Sequence, residues 1–243
     1  MTQRRTSLAT QPIGVIMTGT QKQNSSNIIQ DIGGFRMYRL YLHKNMSNLV
    51  FMSVCFKGDQ RQLKSLYGKM KRLQERKEPL VKNDYYHSKQ WLGNLVKRLG
   101  ANYNSVYCRG TWDCLKMNEK TLYFTTETAS QPPFRLLKLI ASVYPSLSFY
   151  FEAEGDDWDC LLTNDVEGIF FPYHYLVDSD MGYEYFIELE EVCQFLSPRI
   201  TIVGQSEDNL YEAIDEWEEN NNDLNKYIII KKVEVINNDE LWE

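Results

Sequence analysis

The stretch Ser105–Glu152, SVYCRGTWDCLKMNEKTLYFTTETASQPPFRLLKLIASVYPSLSFYFE, decides the fold. Leu122, Phe124 and Thr126 alternate with Tyr123 and Thr125, the period-2 pattern of a half-buried strand. Gln131-Pro132-Pro133 stops that strand and opens a helix, with a proline near the first helical position, where a missing N–H costs nothing. Leu136, Leu137, Leu139, Ile140 and Val143 give the helix a wide apolar face, and Pro145 ends it. Leu147, Phe149 and Phe151 alternate again as the next strand. Upstream, Val106–Arg109 reads as a strand that leads into a turn at Gly110–Asp113.

Working outward, Asn48–Phe56 (NLVFMSVCF) is apolar and β-rich, and Lys57-Gly58-Asp59 turns the chain with Asp59 as a helix N-cap. Leu63, Leu66, Tyr67, Met70 and Leu73 then recur at helical spacing, which predicts a helix over 60–74. Asn83–Leu99 is a second helical segment, ended by Gly100. The order from Asn48 to Phe151 is β-α-(α)-β-β-α-β, the split βαβ arrangement with a helical insert. The expectation is an α+β protein. Its core is a ferredoxin-like antiparallel sheet holding Val50–Phe56, Val106–Arg109, Thr121–Thr126 and Ser146–Phe151. Helices 60–74 and 134–144 pack on one face, and a C-terminal α/β extension follows.

Three regions are expected: an N-terminal extension over 1–45, partly flexible; the ferredoxin-like domain over 46–178; and an acidic addition over 179–243 packed on it. Phe35–Leu42 alternates as a short added strand. Downstream, Glu152–Asp159 reads as an acidic turn. Trp158–Thr163 and Gly168–Val177 read as a hairpin around Asn164-Asp165, and Gly182–Leu196 as one amphipathic segment. Ile200–Val203 reads as a short strand, Asp208–Glu219 as an acidic helix and Tyr227–Ile236 as a last strand.

Composition is that of an ordinary globular chain, at 43% hydrophobic and 25% charged. No apolar run approaches the roughly 20 residues needed to span a bilayer. The N-terminal apolar run Val15-Ile16-Met17 is too short for a signal-peptide core, so a cytoplasmic location is expected, with no membrane partner. The five cysteines contain no C-x-x-C pair and read as buried thiols rather than a disulfide framework.

Several motifs resemble a known family. Asn48–Gly58 (NLVFMSVCFKG) and its leucine-spaced helix resemble the opening strand, glycine and helix of the YubB-like ferredoxin-like family. Trp91-Leu-Gly-Asn94 through Asp113 is similar to that family's tryptophan-rich middle. Arg109-Gly110-Thr111-Trp112-Asp113 stands one residue shorter than the family's Gly-Thr-Lys-Trp-Asp type of turn. The run from Leu122 into Pro132-Pro133, and Tyr144-Pro145-Ser-Leu-Ser-Phe149, resemble the family's double-proline loop and following strand. The chain departs at Met46-Ser47-Asn48, where the family opens Asn-Trp-Cys. The resemblance covers roughly 46–165. It implies a ferredoxin-like fold and an origin on phages, plasmids or integrated elements, and it implies no activity.

Net charge is −6, but it is unevenly spread. Residues 41–120 hold sixteen Lys/Arg against six Asp/Glu, and residues 121–243 hold six against twenty-six. One reading is that the two halves attract each other, with helix 208–219 lying against basic helix 60–76. Another is that Glu212, Asp215 and Glu219 face a basic protein partner. Lys64, Lys69, Lys71, Arg72 and Arg76 form a solvated face or a polyanion-binding face. Trp91, Trp112, Asp113, Pro132 and Pro133 form a structural corner or a partner-binding platform.

No P-loop, G-x-G-x-x-G or serine-nucleophile motif occurs. His43, His87 and His174 have no ligand spacing. Glu152, Glu154, Asp156, Asp157 and Asp159 read as a solvated loop before a hard-cation site, because their spacing is not that of an EF-hand. No cofactor or metal is expected. The leading expectation is a binding protein without catalysis that acts on a protein partner. Nucleic-acid binding through helix 60–76 is the alternative, and a carboxylate- or metal-dependent enzyme comes third.

Overall fold

The computed structural model describes residues 48–82, 84–155, 161–223 and 225–238. The expected N-terminal extension, the strand at Phe35–Leu42, Asp156, Asp157 and Asp159 lie outside these residues. Strand β1 (Leu49–Gly58) is apolar on both faces, which suits a central strand covered from both sides. It pairs antiparallel with β3 (Thr121–Ala129) on one side and β4 (Leu147–Gly155) on the other. The sheet continues through β2 (Gly110–Met117) at one edge and β5 (Leu161–Thr163) at the other, where β9 (Glu234–Val235) pairs parallel with β5. Its order is β2-β3-β1-β4-β5-β9. The first four strands have the ferredoxin-like order, as expected from the sequence.

Helices α1 (Gln60–Gln74), α2 (Leu92–Arg98) and α3 (Phe134–Val143) cover one face. Asp59 caps α1: its Oδ1 accepts the N–H groups of Arg61 and Gln62 at 3.0 Å. Leu63, Leu66, Met70 and Leu73 turn inward onto Val54, Phe56, Phe124 and Phe151. Leu92, Leu95 and Val96 of α2 and Leu136, Leu137 and Ile140 of α3 enter the same core. Gly58 has φ +152°, and a Cβ there would lie 2.1 Å from the Ser146 carbonyl oxygen, so only glycine lets β1 leave the sheet beside β4.

A second sheet, β7-β6-β8, holds β6 (Tyr175–Ser179), β7 (Gly182–Phe186) and β8 (Ile228–Lys232). One face, with Tyr175, Val177, Ile228 and Ile230, packs on helices α4 (Leu189–Leu196) and α5 (Glu207–Asn220). The other face presents Leu176, Tyr183 and Tyr185, which join Leu161 of the first sheet. Tyr183 and Tyr185 both donate to the Glu154 carboxylate. In register, Glu154 lies opposite Phe51, on the face of the first sheet turned away from α1–α3. The two sheets therefore lie between the two sets of helices.

Several local expectations are corrected. Of the helical segment expected over 83–99, only Leu92–Arg98 is helical. Glu152 and Glu154 are buried in β4 rather than set in a solvated turn. The last strand expected over 227–236 divides into β8 and β9, in different sheets. Val106–Arg109 is not a strand: Cys108 and Arg109 give their carbonyl oxygens to the Trp91 indole and the Ala129 N–H, and the ladder starts at Gly110. The expected turn at Gly110–Asp113 is thus the start of β2, which bulges between Asp113 and Lys116 with Cys114 at φ +51°. Gly182–Leu196 divides into β7 and α4. Ile200–Val203 forms no strand and joins neither sheet. The hairpin around Asn164-Asp165 does not form either, because β5 and β6 belong to different sheets. The expected domain limit at 178 falls inside β6, and β9 returns to the first sheet.

Candidate functional site

The outer surface of α1–α3 is cationic. Arg61, Lys64, Lys69, Lys71 and Arg72 lie on α1, Lys97 and Arg98 on α2, and Arg135 and Lys138 on α3. These nine side chains share three helices that contain no Asp or Glu. All are exposed except Lys69, which is half-buried with its Nζ 5.1 Å from the centre of the Tyr144 ring. Among the described residues, no carboxylate lies within ion-pair distance of Lys64, Lys71, Arg72, Lys97 or Arg98. Arg76, just past α1, donates to the Glu78 carbonyl oxygen. The spacing of residues 61, 64, 71 and 72 returns to one side of the helix, a row about 16 Å long.

Tertiary packing makes this one surface. Tyr144, at the end of α3, shares a hydrogen bond with Ser65 of α1, and the Gln62 side chain accepts the Ser146 N–H. On the other flank α2 packs on α1 and β2. Buried Asn94 holds that region: its Oδ1 accepts the Val81 N–H at 2.8 Å and its Nδ2 donates to the Ser88 and Lys89 carbonyl oxygens. Sequence reasoning singled out Lys64, Lys69, Lys71, Arg72 and Arg76 but not the cations of α2 and α3. The absence of acidic residues from all three segments was a readable signal; the common face was not.

The opposite surface is anionic. Helices α4 and α5 carry Glu190, Glu191, Glu207, Asp208, Glu212, Asp215, Glu216, Glu218 and Glu219, and no Lys or Arg. Asp208, Glu212, Asp215 and Glu219 follow 4-3-4 spacing and are exposed, a second row of about 16 Å. Glu207 is tied down: Lys232 and the Tyr175 hydroxyl both donate to its Oε1 at 2.7 Å, and they hold its carboxyl below the ordinary range. Glu216, Glu218 and Glu219 close α5 with no basic residue in the last turn, against the sign its dipole favours. The expected internal pairing of helix 208–219 with basic helix 60–76 does not occur. Two stacked sheets stand between them, and sheets alone pack about 10 Å apart.

Trp91, Trp112, Asp113, Pro132 and Pro133 do not form one exposed platform. Trp91 and Trp112 are 2% and 1% exposed and belong to the main core. Trp91 donates its indole N–H to the Cys108 carbonyl oxygen at 2.7 Å and stacks on Tyr86 at 4.9 Å. Asp113 is exposed on the other face of β2, where its Oδ1 accepts from the Gln90 side chain and the Cys114 N–H. Pro133 is buried, and its carbonyl oxygen accepts the Leu136 and Leu137 N–H groups, while that of the half-buried Pro132 accepts the Phe134 N–H.

The sheet face turned from α1–α3 holds a buried polar group. Burial pushes the Cys55 thiol up to about 12, partly offset by the neighbouring Tyr123 hydroxyl. Burial, then Cys55 and Asp165, raise the Tyr123 hydroxyl. Asp165 Oδ2 accepts the N–H groups of Phe170 and Phe171 at 2.6 and 2.9 Å and so shapes the 165–171 loop. Phe170 covers the cluster, packing on Tyr123 and Tyr150. A thiol this far above its ordinary 9.0 holds its proton in the folded chain through a window in which the unfolded chain loses it. Its contribution is complete below pH 9 and declines as pH rises toward 12. Native protein at pH 8 should leave Cys55 unlabelled by a thiol reagent while Cys114 and Cys193, both partly exposed, react. Labelling of Cys55 at the rate of Cys193 would show that the cluster is open. Among the described residues, no group of three or more His, Cys, Asp or Glu is arranged to hold a metal ion. No described helix is long and apolar enough to cross a membrane.

Fold and surface together define an α+β protein with a ferredoxin-like sheet and two oppositely charged helical faces. Comparison with protein-family models, with curated proteins and with solved structures finds no match for this chain.

Proposed function

We propose that this chain binds the phosphate backbone of nucleic acid through the outer face of α1–α3. One observation carries the reading: nine Lys/Arg on three adjacent helices with no carboxylate among them. A face of this kind releases counterions from a polyanion without reading base sequence. The acidic helices, which would repel phosphate, lie beyond two sheets, so they do not oppose binding at close range. A cytoplasmic location suits such a partner. The mobile-element setting belongs to the same proposal and rests on the sequence resemblance alone.

The test is binding of a fluorescent 30-base-pair duplex and of a single-stranded RNA as salt is varied. Four contacts from the α1 row alone predict a slope of log K against log salt of about −3.6 on the duplex. Affinity should be indifferent to base sequence. No binding to either probe at low salt would remove the reading.

A second reading, a basic protein partner on α5, is favoured by the exposed row Asp208, Glu212, Asp215 and Glu219.

A further inference from the structure

We infer that the protein partner of the acidic face is a second copy of this chain, docked head to tail by its basic face. The inference rests on the second reading above. Both surfaces needed for the contact are on one molecule. The cation row Arg61, Lys64, Lys71 and Arg72 and the carboxylate row Asp208, Glu212, Asp215 and Glu219 are each about 16 Å long. Both rows are exposed, and they are borne by helix sets of nine cations and nine carboxylates. The fold prevents them from meeting within one molecule, because the two sheets stand between.

Opposite placement also sets the symmetry. A twofold dimer forming both contacts needs the two patches side by side. Patches on opposite sides make a heterologous contact, and such a contact leaves a free basic face at one end and a free acidic face at the other. Assembly therefore grows with concentration rather than stopping at two. It also covers the face proposed to hold nucleic acid, so polyanion and self-association compete. The contact is electrostatic and exposed at its rim, so it weakens as the screening length falls from about 30 Å at 0.01 M salt to about 3 Å at 1 M.

The experiment is sedimentation of the full, nuclease-treated chain across a concentration series at low and high salt. At low salt the weight-average mass should rise past twice the 28.6 kDa of the chain, and in high salt it should return to the monomer value. Two charge-reversed triples then decide the geometry, each checked for native circular dichroism. Glu212→Lys with Asp215→Lys and Glu219→Lys reverses the carboxylate row, so that both rows are basic. Lys64→Glu with Lys71→Glu and Arg72→Glu reverses the cation row, so that both rows are acidic. Each alone should stay monomeric at low salt, and an equimolar mixture should associate. A monomeric wild type at low salt, a species that stops at two, or a mixture that stays monomeric would each overturn the inference. Oligonucleotide binding by the wild type is measured separately. A chain that binds duplex yet never self-associates sinks this inference and leaves the nucleic-acid reading standing.

Discussion

Replacing Lys64, Lys71 and Arg72 together by alanine should lower affinity for duplex DNA roughly 500-fold at 0.1 M salt. Each phosphate contact contributes about 0.9 to the salt slope, so losing three flattens it by about 2.7. Wild type and variant converge near 1 M salt, where the counterion term vanishes, and a tenfold lower salt separates them by nearly three orders of magnitude. The three side chains are exposed on the outer side of α1, so the fold survives their loss. Lys97→Ala with Arg98→Ala should flatten the slope by about 1.8, the signature of two contacts on the adjoining helix. Binding that weakens equally at every salt concentration would assign these residues a role other than phosphate contact. Unchanged binding by the triple variant would remove α1 from the interface.

Truncating Trp112 to alanine should destabilise the chain by about 3–5 kcal/mol, read from urea unfolding. The indole is 1% exposed in the core between the sheet and the helices. Its Nε1 has no hydrogen-bond partner among the described residues, so its contribution is apolar packing. Trp112→Phe should therefore cost much less, because it keeps most of the ring volume and removes a buried N–H whose isolation costs about 1–3 kcal/mol. Asp113→Ala, one position along β2 but on the exposed face, should cost about 1 kcal/mol or less. A platform role would predict the reverse: little loss of stability at Trp112 and loss of a partner at both positions.

Much of the fold is legible in the sequence. β1 is apolar at both parities, the mark of a strand covered on both faces, and it lies at the centre of the first sheet. Asp59 follows Gly58 and precedes a leucine-spaced run, and it caps α1. Pro132-Pro133 ends one strand and opens the next helix. These are local signals, set by backbone sterics and side-chain period. The misreadings share a different cause. Val106–Arg109 alternates like a strand, but its carbonyl oxygens go to an indole and to the end of β3. Gly182–Leu196 carries apolar residues compatible with one helix. Yet Tyr183 and Tyr185 are drawn to Glu154 while Phe186 packs on α4, a period-2 split that only the second sheet imposes.

The sequence by itself determined how much charge each segment carries and in what order the strands and helices follow. It also showed that α1 lacks acidic residues and α5 lacks basic ones, because sign and spacing are properties of the chain. Tertiary structure alone decided where those charges face. The attraction of opposite charges favours placing the acidic helix against the basic one. Apolar burial and strand pairing override it: α1–α3 cover the Val54–Phe124–Phe151 face, and the other face of the same sheet receives Tyr183 and Tyr185. Helices α4 and α5 then have only the far side of the second sheet on which to bury Val192, Leu196, Leu210 and Ile214. The two charged faces are kept apart because exposed ion pairs stabilise by about 1 kcal/mol at most, whereas burying a single large apolar side chain stabilises by about 1.5–3 kcal/mol.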